Sequence, residues 1–159
     1  MHSNVEAALK LCSGPFRVHR HDAVSVSIHT AQDFANAIGY PLERICKCLF
    51  LRCSDPERFA LALISCSKKT NISSVAQELG CAGIRIATPK DLQRHTDYPP
   101  KGVSPLGVKN CPLFIDAGVL TYDTILIGAG VAGEEIEVCP GDLIALTNAT
   151  VMSIGYEDG

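Results

Sequence analysis

The chain has 159 residues and a net charge of −3 at neutral pH, with 47% apolar and 19% charged side chains. That length fits one domain, residues 1–159, with a real hydrophobic core, and the composition excludes disorder. An isoelectric point near 5.9 excludes the global basic field that holds a protein on long nucleic acid, DNA included, and no apolar stretch is long enough to span a bilayer.

Met1 to Glu6 carries an acid where an export signal needs a basic flank, so the expected location is the cytoplasm. The eight cysteines show no Cys-x-x-Cys spacing and most lie inside apolar runs. In a reducing compartment they read as small core hydrophobes, not as disulfides or metal ligands. Residues 3–12 place Val5, Ala8, Leu9 and Cys12 at helical spacing behind a Ser3 or Asn4 cap, and Ser13-Gly14-Pro15 stops that helix. Residues 16–21 alternate as a half-exposed strand, which puts His19 and His21 on one face. With no third ligand nearby they read as a polar rim.

Thr30 caps a helix through Phe34, Ala35 and Ile38 that Gly39 closes. A buried strand, Ile45–Arg52, follows; Asp55-Pro56 then turns the chain into Phe59–Ser65, its expected hairpin partner. Further along, the pattern predicts a short helix opened at Asn71 or Ser73 and stopped by Gly80, a strand at Ile84–Ala87, and a helical turn begun by Thr88-Pro89. Strands are expected at 113–115, 124–127 and 136–138, a helical turn from Pro140, and a closing strand at 151–154. Strands and short helices without regular alternation predict an α+β fold, a mixed, barrel-like sheet with helices packed outside.

The strand Ile45–Arg52 carries the chemistry. Cys46, Cys48 and Phe50 occupy one parity and Leu49 and Leu51 the other, so both faces are apolar, yet Lys47 shares the second parity. Such a lysine either snorkels to water along its four methylenes or points into a pocket. Residues 98–107 hold three prolines and two glycines. This stiff, irregular path either connects two elements or turns backbone amides toward a ligand.

Two letter matches fail on context. Gly128-x-Gly130-x-x-Gly133 copies a dinucleotide fingerprint, but Glu134–Glu137 and Pro140 offer no helix to receive a pyrophosphate. Gly102–Gly107 approaches a serine-nucleophile elbow, but Pro105 and one extra residue break it. What is left, a strand lysine with a stiff glycine loop and no acid–base pair, suits chemistry that positions a labile ester. Backbone N–H groups would polarise its carbonyl.

Several stretches in order resemble the YbaK and prolyl-tRNA-synthetase-associated domain family. They are Thr30-x-x-x-x-Ala35-x-x-x-Gly39, Ile45-Cys-Lys47-Cys-Leu49, Tyr98-Pro-Pro-Lys-Gly102-Val-Ser-Pro105-Leu-Gly107, Ile115-Asp116 and Gly130-x-x-Gly133-x-x-Ile136. The likeness runs over about residues 20–155. It implies a free-standing trans-editing deacylase that hydrolyses a mischarged amino acid, of the Cys-tRNA(Pro) or Ala-tRNA(Pro) type, from the 3′ end of a transfer RNA. The ribose 2′-hydroxyl of the terminal adenosine would assist, with no metal or cofactor. The implied partners are the mischarged tRNA acceptor end and an aminoacyl-tRNA synthetase.

Carried over by position, Lys47 would hold the terminal adenosine or the aminoacyl group. Gly102, Val103 and Ser104 would present amides to the ester, and Pro105 and Gly107 would fix that loop. Cys48, Ala129 and Gly130 would line the pocket, in one turn with Gly133, and Asp116 would support the site. Lys101 replaces a family glycine and would add a phosphate contact, although at positive φ it would be strained; Asp97 replaces another. The alternative is a catalytically silent module, disabled by Lys101, that binds aminoacyl adenosine or a synthetase.

Overall fold

The two apolar runs around Asp55-Pro56 pair as a hairpin at the centre of a mixed α+β fold, seen in a computed structural model that describes residues 1–157. In chain order the elements are α1 (Ser3–Leu9), β1 (Phe16–Arg20), α2 (Ala31–Ile38), β2 (Cys46–Ser54), β3 (Arg58–Ser65) and β4 (Lys69–Thr70). Then come α3 (Ser73–Leu79), β5 (Gly83–Ile86), α4 (Pro89–Thr96), β6 (Leu113–Asp116) and β7 (Ile125–Gly128). The chain closes with β8 (Glu134–Val138), α5 (Pro140–Thr147), β9 (Thr150–Met152) and β10 (Gly155–Tyr156).

The main sheet has the order β5-β2-β3-β6-β9. β2 runs antiparallel to β3 and β5, whereas β6 is parallel to both β3 and β9. A second sheet, β1-β8-β7, is antiparallel throughout, and β4 pairs with β10. A parallel bridge between Ile45 and Leu126 ties the start of β2 to β7. On that edge β5 joins β2 only from Leu51 onward, so residues 46–49 have no strand beside them there. This gap positions the site.

Because β2 and β3 are apolar on both faces, each face is covered. Leu51, Ala60, Ala62 and Ile64 pack with Val75 of α3, while Phe50, Leu61 and Leu63 pack with Val5 and Leu9 of α1 and Leu143 of α5. Phe34 and Ala35 of α2 bury against Ile45 and Leu126, over the seam between the sheets. Thr30 caps α2 in a reciprocal box with Asp33, and Gly39 ends the helix at φ +66°. The Asp33 carboxylate accepts the N–H groups of His29 and Thr30, both at 3.0 Å, and these bonds hold its pKa below the ordinary value. Asp97 and Asn148 end α4 and α5 in the same left-handed conformation, at φ +64° and +55°.

Two sequence expectations need correction. The first helix stops at Leu9, and Leu11 lies 80% exposed, because the last turn has nothing to pack on. On β1 the apolar residues Phe16 and Val18 are the exposed ones. The histidine face is turned inward under α2, with the His21 ring centroid 4.4 Å from that of Phe34.

Candidate active site

Where β2 lacks a neighbour, a cavity of about 290 Å³ opens between the sheets. One wall is residues 45–49, a second is residues 100–103, and a third is Gly128 with residues 133–135. His21, Ala31 and Cys66 complete it.

Lys47 lines this cavity half-buried, and its ammonium donates to the Lys68 carbonyl at 2.9 Å. That leaves two of its three protons for a ligand. Of the two fates open to a strand lysine, the structure shows the pocket. The carbonyl that holds it belongs to a turn anchored by Asp116. Oδ1 of that buried carboxylate accepts the N–H groups of Ile154 (2.8 Å) and Gly155 (2.9 Å), and Oδ2 lies 3.7 Å from the Lys68 ammonium. Asp116 is thus outside the cavity and reaches Lys47 through Lys68.

Cys46, Cys48 and Cys66 all line the cavity, and Cys46 is fully buried while the other two are half-buried. Burial pushes all three thiols up, that of Cys66 to about 11. They stay protonated at neutral pH and form a soft, apolar surface without a thiolate nucleophile.

The two glycine loops pack backbone against backbone. A Cβ on Gly102 would sit 2.5 Å from the Val131 carbonyl carbon, and one on Gly128 would sit 2.2 Å from the Val103 oxygen. Tyr98 braces the assembly from inside. Its hydroxyl donates to the Leu106 carbonyl at 2.5 Å, and burial pushes the phenol pKa up. Ser104 is buried, with Oγ accepting the Leu106 N–H at 3.2 Å. The Gly102 N–H already donates to Pro99 (3.0 Å), whereas among the described residues the amides of Val103 and Ser104 have no acceptor.

Of the twelve residues singled out by sequence, Lys47, Cys48, Lys101, Gly102, Val103 and Gly133 line the cavity. Ser104, Pro105, Gly107, Ala129 and Gly130 stand behind its wall with Asp116. Gly107 and Gly130 take φ +76° and +79° against Tyr98, so they shape the loops from the rear. Ala129 and Gly130, expected on the pocket surface, are displaced from it by Gly128, which faces the 102–103 segment. Lys101 is not at positive φ and carries no such strain; Asp97, which does take αL, is steadied by the Gln93 amide at 2.8 Å.

Sequence reasoning missed the carboxylates opposite the two histidines. His21 contacts Glu135 at 3.1 Å and His19 contacts Glu137 at 2.9 Å across the β1–β8 pair. Burial pushes the Glu135 carboxyl up, with the His21 bond opposing. For Glu137 burial acts the same way but is outweighed by hydrogen bonds from His19 and Thr124, which lower it. The alternation of Glu135 and Glu137 was the available signal, legible only once β8 is paired with β1.

Residues 25–146 match the model of the aminoacyl-tRNA editing domain. EbsC of Enterococcus faecalis, provisionally named a Cys-tRNA(Pro)/Cys-tRNA(Cys) deacylase, is 27% identical over 126 residues, covering 79% of this chain and 76% of that protein. The proline–tRNA ligase of Macrococcus caseolyticus is 25% identical over 132 residues, which are 80% of this chain and 23% of the ligase. A crystal structure titled as a trans-editing enzyme for prolyl-tRNA synthetase, also provisionally, superposes with a TM-score of 0.82 at 24% identity. It covers 98% of this chain and 99% of its own, a likeness of fold.

Proposed function

The chain belongs to the aminoacyl-tRNA editing domain family, hydrolases of aminoacyl-tRNA esters, and we propose that it deacylates a mischarged tRNA in trans, with Lys47 and the Val103–Ser104 amides as the working groups. The observation that carries this reading is their juxtaposition: Lys47, with two uncommitted protons, and Val103, with an uncommitted amide, border one cavity, and the uncommitted Ser104 amide follows directly behind its wall. Lys47 holds the terminal adenosine or the aminoacyl group, and the amides take the carbonyl oxygen as it gains charge. Water, assisted by the ribose 2′-hydroxyl, adds to the carbonyl carbon. The acyl–O3′ bond then breaks, and the proton passes to O3′. Gly102 lets the loop seat on residues 131–132, Lys101 faces the phosphates, and Asp116 fixes the Lys68 turn.

The cavity, about 290 Å³, is at the small end for ligand sites; thiols and short aliphatic groups line it together with His21, Lys47, Lys101, Glu134 and Glu135. It suits alanine or cysteine on a tRNA(Pro) acceptor. EbsC, whose name specifies cysteine on tRNA(Pro) or tRNA(Cys), supports the cysteine choice, and the proline–tRNA ligases that contain a similar segment support a synthetase as partner. Among the described residues no helix is long and apolar enough to cross a membrane. The cytoplasm, where translation takes place, is the location that goes with the editing reading. That Lys101 is not at positive φ favours the active reading over the silent-module alternative.

The test is hydrolysis of a panel of tRNA(Pro) and tRNA(Ala) charged with amino acids of increasing size. Turnover is expected for alanine or cysteine and not for leucine or phenylalanine. Indifference to side-chain size would remove the cavity as the selector.

A further inference from the structure

A second cavity, about 670 Å³, borders the same proline loop from its two ends. Arg94 and His95 precede the loop, Lys109 follows it, and Arg58 and Phe59 come from β3. Cys48 lines the first cavity and Phe50 the second; they are neighbours on one face of β2 and roughly 7 Å apart at ~3.3 Å per residue.

The charge there runs against that of the whole chain, which is −3. Arg94 and Lys109 are exposed, and among the described residues neither forms an ion pair. Arg58 gives one N–H to the Leu79 carbonyl at 3.2 Å and, among the described residues, forms no ion pair. The acid in this lining, Glu57, is held by Arg52 at 2.5 Å, and Arg52 also meets Asp91 at 3.2 Å. Three cations are left to face the solvent. Beside them the rings of Phe50 and Phe59 stack with centroids 5.2 Å apart, and His95 lies 4.0 Å from Phe59 with its outer face exposed.

We propose that this groove is a second RNA contact, which holds the sugar–phosphate backbone of the acceptor strand while the ester sits in the first cavity. The inference rests on the deacylase reading. Arg94 and Lys109 take phosphates, Arg58 adds field, and the free face of His95 receives a base, as basic grooves with ring platforms do for single strands. At an axial rise of about 3.4 Å per nucleotide, the 7 Å between Cys48 and Phe50 corresponds to roughly two nucleotides of the unpaired end.

The experiment compares wild type with Arg94→Ala/Lys109→Ala in two assays. The first is anisotropy titration of unfractionated deacylated tRNA across a salt series. The expected result is a rise in Kd of about tenfold or more at low salt and a salt slope shallower by about 2. The second is hydrolysis of an alanyl or cysteinyl ester of adenosine, which lacks upstream phosphates; its rate is expected to be unchanged, showing that the double variant is folded. An unaltered Kd and slope would overturn the groove, as would a wild type that hydrolyses the ester but binds no tRNA. If instead tRNA binding weakens in the double variant while neither protein hydrolyses any ester, the groove stands and the deacylase reading fails; thermal melting then supplies the folding control.

Discussion

Four residues show how much depends on single atoms. Gly102 has no room for a methyl group, since backbone on both sides of the Val131–Ala132 peptide stands within 3 Å of it. Gly102→Ala is therefore expected to push the loop away from residues 131–132 and, because a displacement near 1 Å costs about 10²-fold, to cut kcat/KM by about that factor with a small change in Tm. Lys101→Gly is expected to leave turnover of a minimal ester alone and to make the salt slope of tRNA binding shallower by about 1, because Lys101 is an ordinary exposed cation. Asp33 gives a pH signature. Its pKa is depressed in the folded protein, so its capping contribution is fully present above the ordinary carboxylate value of 3.8 and is lost as pH falls through the lower folded value. Asp33→Asn should accordingly lower Tm at neutral pH, and the gap should close on acidification below 3.8. Lys47 was legible at this scale as an anomaly, a charge among leucines. Its acceptor was not, since the Lys68 carbonyl lies 21 residues away and belongs to a turn with no pattern of its own.

At the scale of elements, β2 is the organising strand because it is apolar on both faces and because, along residues 46–49, it is paired with β3 on one edge while β5 leaves the other edge open. The first property was readable from parity, and the hairpin with β3 follows from it. The second was not, because it depends on where β5 and β7 stop. The glycine loops were readable as loops, yet their mutual packing, which decides that Gly102 and Gly128 must be glycines, is a long-range fact. So is the work of Asp116, whose carboxylate caps two amides of the C-terminal segment. Asp116→Ala leaves those amides and the Lys68 ammonium unpaired, and a loss of about 3 kcal/mol in urea unfolding is expected, with the deacylation rate falling as the Lys68 turn loosens. A stability change below 1 kcal/mol would mean that the C-terminal segment is held by other contacts.

In the whole molecule the two larger sheets are joined at Ile45 and Leu126, the β4–β10 pair forms a third, small sheet, and the site lies between the larger two beside that bridge. Short helices close the outside, and α2 sits over the seam. The α+β class and the order of elements follow from local pattern, whereas the cavity is a product of tertiary geometry and no window of sequence contains it. The cysteines illustrate the difference: as apolar-run residues they looked alike, but three of them line one cavity. The account rests on Lys47 and the Val103–Ser104 amides acting on an ester held between them. Its most direct test is multiple-turnover hydrolysis of Ala-tRNA(Pro) and Cys-tRNA(Pro) by wild type and Lys47→Ala, with Tm measured for both. The expected result is many turnovers per wild-type molecule and a rate lower by about 10²-fold or more in the variant at similar Tm. A folded Lys47→Ala that keeps the wild-type rate, or a wild type that binds these tRNAs and leaves their esters intact, would contradict it.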